Sequence, residues 1–127
     1  MTGDPHTPRL AGLRVLVAED EWMIADDMAC ALEAAGAVVL GPVATVHEAV
    51  GIVEEEQPNA ALLDLKLADG MVYPLADMLL MRRVPVIFTT GYDAGSLPGR
   101  YEHVPKIEKP ASTELILEQL EQCSSQS

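Results

Sequence analysis

Apolar positions along this chain follow two alternating rhythms. Short runs rich in Val, Leu and Ile are separated by segments in which apolar residues recur every three or four positions, so strands and helices are expected in turn. Leu13 to Ala18 reads as a first strand, and Trp22 to Ala35 as a helix with Ile24, Met28, Ala31, Leu32 and Ala35 on one face, stopped by Gly36. Val38 to Leu40 is a short second strand, broken by Gly41-Pro42. Thr45 with Glu48 forms a capping box that opens a helix through about Glu54, and Pro58-Asn59 ends it. Ala61 to Asp64 is the third strand. Pro74, acceptable in a first helical turn, starts a helix with Leu75, Met78 and Leu79 that runs to Arg82. Pro85 to Thr90 is the fourth strand. The three glycines and one proline between Gly91 and His103 predict a short or frayed helix there. Val104 to Glu108 is the fifth strand, and Ser112 caps a last helix through Leu115, Ile116, Leu117 and Leu120. Strands alternating with helices predict an α/β fold, a parallel sheet covered on both faces.

A length of 127 residues supports one domain with a real core. The boundaries expected are a loose leader over 1–10, a folded unit over 11–122 and a polar tail over 123–127. Although 49% of residues are apolar, no run approaches the roughly 20 residues of a membrane span, and the start of the chain lacks a secretion signal. A cytoplasmic protein without membrane insertion is expected. Cys30 and Cys123 share no metal-ligand spacing and read as reduced thiols. With 20 acidic and 8 basic residues the net charge of −12 repels a phosphate backbone, which argues against direct nucleic-acid binding. The one adjacent basic pair, Arg82-Arg83, falls at a helix end, where cations offset the negative end of the dipole.

The ends of strands one, three, four and five carry Glu19-Asp20, Asp64, Thr90 and Lys109. In open α/β sheets ligands bind at the carboxyl ends of strands, so these groups are expected to converge. Clustered carboxylates repel one another and are tolerated with a hard, oxygen-ligated cation, for which Mg2+ is the expected ion. Thr89 competes with Thr90 as the functional hydroxyl; Thr90 is preferred because the small Gly91 follows it.

The motifs Val15-Leu-Val-Ala-Glu-Asp-Glu21, Leu62-Leu-Asp-Leu-Lys-Leu67, Thr90-Gly91 and Lys109-Pro110 resemble those of a response-regulator receiver domain, over nearly all of Leu13 to Leu120. The resemblance implies a flavodoxin-like (βα)5 fold of strand order 2-1-3-4-5. It implies Mg2+ held by Asp20, Asp64 and the backbone carbonyl of Lys66, with Glu19 acting through water. Asp64 would accept a phosphoryl group from a sensor histidine kinase, and Thr90 and Lys109 would bind its oxygens. Such a domain is no enzyme beyond its own phosphotransfer and autodephosphorylation, and it passes the signal to a downstream protein that the sequence does not name.

Pro85-Val-Ile-Phe-Thr-Thr-Gly-Tyr92 is similar to the Pro-Phe-x-Phe-Ala-Thr-Gly-Gly/Tyr-Tyr motif of the receiver subfamily nicknamed FAT GUY, departing from it at Val86, Thr89 and Asp93. In that group receivers commonly stand alone and work with sensor kinases of alphaproteobacteria; a natural single domain and a piece of a longer chain both stay open. Lys106 occupies the place of the usual switch aromatic, and Ala111 that of the aromatic often found after Lys-Pro. The segment Gly91 to His103, short of apolar anchors, is therefore expected to carry the signal, with Tyr92 read either as repacking with it or as a fixed surface aromatic.

Two other classes fit less well. A phosphatase of the haloacid dehalogenase type needs a second Asp two positions after its nucleophile, where this chain has Lys66. A pseudo-receiver that only binds partners would have lost an acidic residue, the acceptor or the lysine, and none is lost; it remains the runner-up.

Overall fold

A computed structural model describes residues 8–91 and 97–125. The elements are β1 (Arg14–Ala18), α1 (Trp22–Ala34), β2 (Val38–Val43), α2 (Val46–Glu56), β3 (Ala60–Asp64), β4 (Lys66–Leu67), β5 (Gly70–Met71), α3 (Tyr73–Met81), β6 (Val86–Thr90), a 3-10 turn (Gly99–Tyr101), β7 (Lys106–Glu108) and α4 (Thr113–Ser125). Five strands form one parallel sheet in the order β2-β1-β3-β6-β7, while β4 and β5 pair as a separate antiparallel hairpin. Counting only the large sheet, that order is the expected 2-1-3-4-5.

Strand alternation sorts the core into two layers. Leu16, Ala18, Ala61, Leu63, Val86 and Phe88 pack with Ala49 and Val53 of α2 and Leu75, Ala76 and Leu79 of α3. Val15, Val17, Ala60, Leu62 and Ile87 face the other way, onto Met28 and Leu32 of α1 and Ile116 and Leu120 of α4. Because β3 is covered on both faces, all five of its residues are buried, and it reads in sequence as an unbroken apolar run ending in Asp64.

Four expectations are corrected. Gly41-Pro42 does not break β2, which continues to Val43. Pro is tolerated there because β2 is the sheet edge, so the missing N–H costs no ladder bond. The hairpin β4–β5 was not expected, since two-residue strands are too short to show a period. Around the expected fourth helix the described residues hold only the 3-10 turn, and 92–96, including Tyr92, lie outside the described residues. The ends of the domain also differ. Of the leader, residues 1–7 lie outside the described residues, but Leu10 is 2% exposed and Arg9 pairs with Glu114 and Glu121 of α4 at 3.0 and 2.6 Å. Gly36, at φ +94°, ends α1 beneath this segment, and a Cβ there would meet Pro8 at 2.6 Å. At the other end α4 runs through Ser125, beyond the expected start of the tail.

Candidate functional site

The parallel strands finish at one level, so the residues just past each end share a rim. Backbone bonds set that rim: the Glu19 N–H donates to Val43 O at 2.9 Å, and the Lys109 N–H donates to Thr90 O at 2.8 Å. Lys109 then reaches across the sheet. Its Nζ lies 2.8 Å from Asp64 Oδ2, 2.8 Å from Glu19 Oε1 and 3.8 Å from Glu21 Oε1. Glu19 is 2% exposed and Asp64 8%, whereas Asp20 is exposed.

Burial of two carboxylates against one ammonium leaves the centre unbalanced. Desolvation, and then the neighbouring Asp64 carboxyl, raise the Glu19 pKa well above the carboxylate range, with Lys109 opposing. For Lys109, burial pulls the pKa down, but bonds to Asp64 and Glu19 outweigh it and hold the ammonium above its usual value.

Glu19, Asp20 and Asp64 each offer one oxygen, all within 4.8 Å of one another. Lys109 Nζ donates to Glu19 Oε2 at 3.3 Å, while Glu19 Oε1, though 2.8 Å from the ammonium, accepts no directed hydrogen bond among the described residues. An all-oxygen, acid-rich donor set of this kind fits Mg2+. Lys66 stands at the start of β4, its N–H donating to Asp64 Oδ1 at 3.4 Å. Of the two candidate threonines both are buried, but only the Thr90 hydroxyl is without a hydrogen-bond partner among the described residues. A buried hydroxyl at a strand end is placed to donate to a ligand oxygen.

Sequence reasoning passed over Asp69. Its carboxylate accepts from the Val46 N–H at 2.7 Å and from the His47 N–H at 3.2 Å, capping α2 from the β4–β5 hairpin. Asp69-Gly70 is a turn signal, but nothing local shows that the side chain reaches a helix 22–23 positions back.

A doubly wound sheet of this order, covered by helices on both faces and carrying a carboxylate cluster and a lysine at its carboxyl end, defines a class of open-sheet α/β domains whose ligands bind at the switch point. No family model matches the chain. It is 35% identical over 112 residues to the phyllosphere-induced regulator PhyR of Methylorubrum extorquens, covering 83% of this chain and 42% of that protein. The solution structure of SdrG from Sphingomonas melonis is 31% identical, with 88% of this chain and 96% of that one covered and a TM-score of 0.77. The anti-anti-sigma factor PhyR from Bartonella quintana is 29% identical over 88% of this chain and 47% of that one, with a TM-score of 0.73. The chain spans about half the length of the curated relatives it matches. The chain belongs to the response-regulator receiver family of two-component systems, and with PhyR and SdrG it fits the FAT GUY-like subfamily. No helix among the described residues is long and apolar enough to cross a membrane.

Proposed function

We propose that the chain accepts a phosphoryl group on Asp64 from the phosphohistidine of a sensor kinase. An Asp64 oxygen attacks phosphorus, the P–N bond breaks, its electron pair returns to the imidazole, and an acyl phosphate remains. Lys109, 2.8 Å from Asp64 Oδ2, supplies a fixed positive charge where the phosphoryl oxygens would arrive. Thr90 contributes its buried hydroxyl, which has no partner among the described residues, as a donor to one of them. Asp20, Asp64 and the Lys66 carbonyl would hold Mg2+, with Glu19 acting through water. When bound, the ion offsets the negative charge of the moving group and of the carboxylates.

The observation that carries this reading is the buried contact of one strand-end lysine with both Asp64 and Glu19. The first signalling partner is then a sensor histidine kinase and the second a protein that reads the phosphorylated surface; both place the chain in the cytoplasm. A relative's description as an anti-anti-sigma factor makes a regulator of sigma-factor activity the first downstream candidate. Neither nucleic acid nor membrane is a direct partner.

Incubation with a small phosphodonor and Mg2+ is expected to add one phosphoryl group by intact mass, lost in Asp64→Asn while the circular dichroism spectrum is unchanged. Full labelling of the Asn variant would move the acceptor elsewhere. No labelling of the wild type by either a phosphodonor or a cognate kinase would leave the pseudo-receiver reading.

A further inference from the structure

We infer that Asp69 is a positioning residue for the metal-binding loop, a role that rests on the proposed Mg2+ site. Lys66, whose carbonyl is the proposed ligand, begins a hairpin of two-residue strands. A hairpin that short does not hold its own position in water, so its place must come from tertiary ties. Three are present. Leu67 is 2% exposed in the core, the Ala68 N–H donates to Ala44 O at 3.0 Å, and Asp69 accepts from Val46 N–H and His47 N–H.

These ties close a ring around the acidic pocket. Glu19 is bonded through its N–H to Val43, the next residues Ala44 to His47 receive the hairpin, and the hairpin returns through Leu65 to Asp64. Asp69 is the only side chain in that ring among the bonds named, and it makes two of them. The same two bonds hold its carboxyl below the usual carboxylate range, the Val46 bond contributing most, so it stays an ionised acceptor. With the negative group also at the positive end of the α2 dipole, the contact fixes the hairpin to an element that packs on β1 and β2.

The simpler role, a helix cap and nothing more, has an internal control. Thr45 caps the same helix end by accepting from the Glu48 N–H at 3.1 Å, but it does not belong to the hairpin. Asp69→Ala and Thr45→Ala should therefore both lower the unfolding temperature, while only Asp69→Ala weakens Mg2+ binding, by about 10-fold, the scale of an outer-sphere ligand support. Mg2+ titration followed by amide shifts at Asp64 and Lys66 reads the affinity, and Asp69→Asn, which keeps one acceptor oxygen, should recover part of it. Equal Mg2+ affinity in wild type and Asp69→Ala would reduce Asp69 to a cap and overturn the inference. Equal weakening by Thr45→Ala would overturn it too, because loss of affinity would then follow helix stability. A wild type without any Mg2+ shift would instead reject the metal site itself and the inference with it.

Discussion

Tyr101 has no exposed surface, and its hydroxyl donates to Asp77 Oδ1 at 2.5 Å. Its ring stacks on Tyr73 and meets Phe88 edge-on, each at 5.4 Å between centroids, and Arg100 lies 4.6 Å from the ring centre while pairing with Asp77 at 3.2 Å. Burial first, and the Asp77 carboxylate second, push the Tyr101 phenol up to about 12. A raised pKa means that the folded state keeps its proton longer than the unfolded one. The associated stability is complete below the ordinary phenol pKa of about 10 and falls as pH rises through about 12. Among the three tyrosines, one phenol should therefore titrate late in near-ultraviolet absorbance, and Tyr101→Phe should remove that late step. A wild-type curve that matches free tyrosine throughout would contradict the assignment. In sequence Tyr101 reads only as a packing or surface aromatic, because Asp77 and Tyr73 are 24 and 28 positions away. Lys109 was legible for the opposite reason: it sits beside its own landmark, Lys-Pro at a strand end.

At the scale of elements the same ring changes the picture of the segment before β7. A shortage of apolar anchors was expected between Gly91 and His103, yet Tyr101 is among the largest fully buried side chains. The half of the segment that is described is thus pinned to α3 and β6, and Phe88, two residues before Thr90, is part of the pin. Lys106, standing where a switch aromatic is usual, has a structural task instead. Its Nζ donates to Val104 O at 2.6 Å, Tyr101 O at 3.0 Å and Glu102 O at 3.3 Å, closing the carbonyl end of the 3-10 turn. Lys106 is itself exposed, so solvent screens these bonds, and together they are worth about 1 kcal/mol. Lys106→Met should speed amide exchange about fivefold at Tyr101, Glu102 and Val104 and leave β3 unchanged. Unaltered exchange at those amides would show that the aromatic pin alone holds the turn.

Over the whole molecule, a net charge of −12 works against compactness, and part of it is focused at one rim by Glu19, Asp20 and Asp64. Any salt screens the general repulsion, whereas the proposed Mg2+ would act at the rim itself, where Lys109 offsets only part of the charge. At about ten times its dissociation constant Mg2+ should add about 1.4 kcal/mol, roughly 4–8 °C in unfolding temperature, beyond NaCl of equal ionic strength. Equal shifts in both salts would mean screening without a site. The alternation of strands and helices, the two-sided burial of β3 and the strand-end residues could be read from the chain alone. They depend on local periodicity and on motifs contiguous in sequence, and a parallel sheet carries those residues to one edge whatever the details. The extension of β2 past Gly41-Pro42, the β4–β5 hairpin, the Asp69 bonds to α2 and the Tyr101 cluster were decided only in three dimensions. Each rests on partners far apart in the chain, whose contact depends on how the layers pack, and no local pattern of apolar and polar residues encodes that distance.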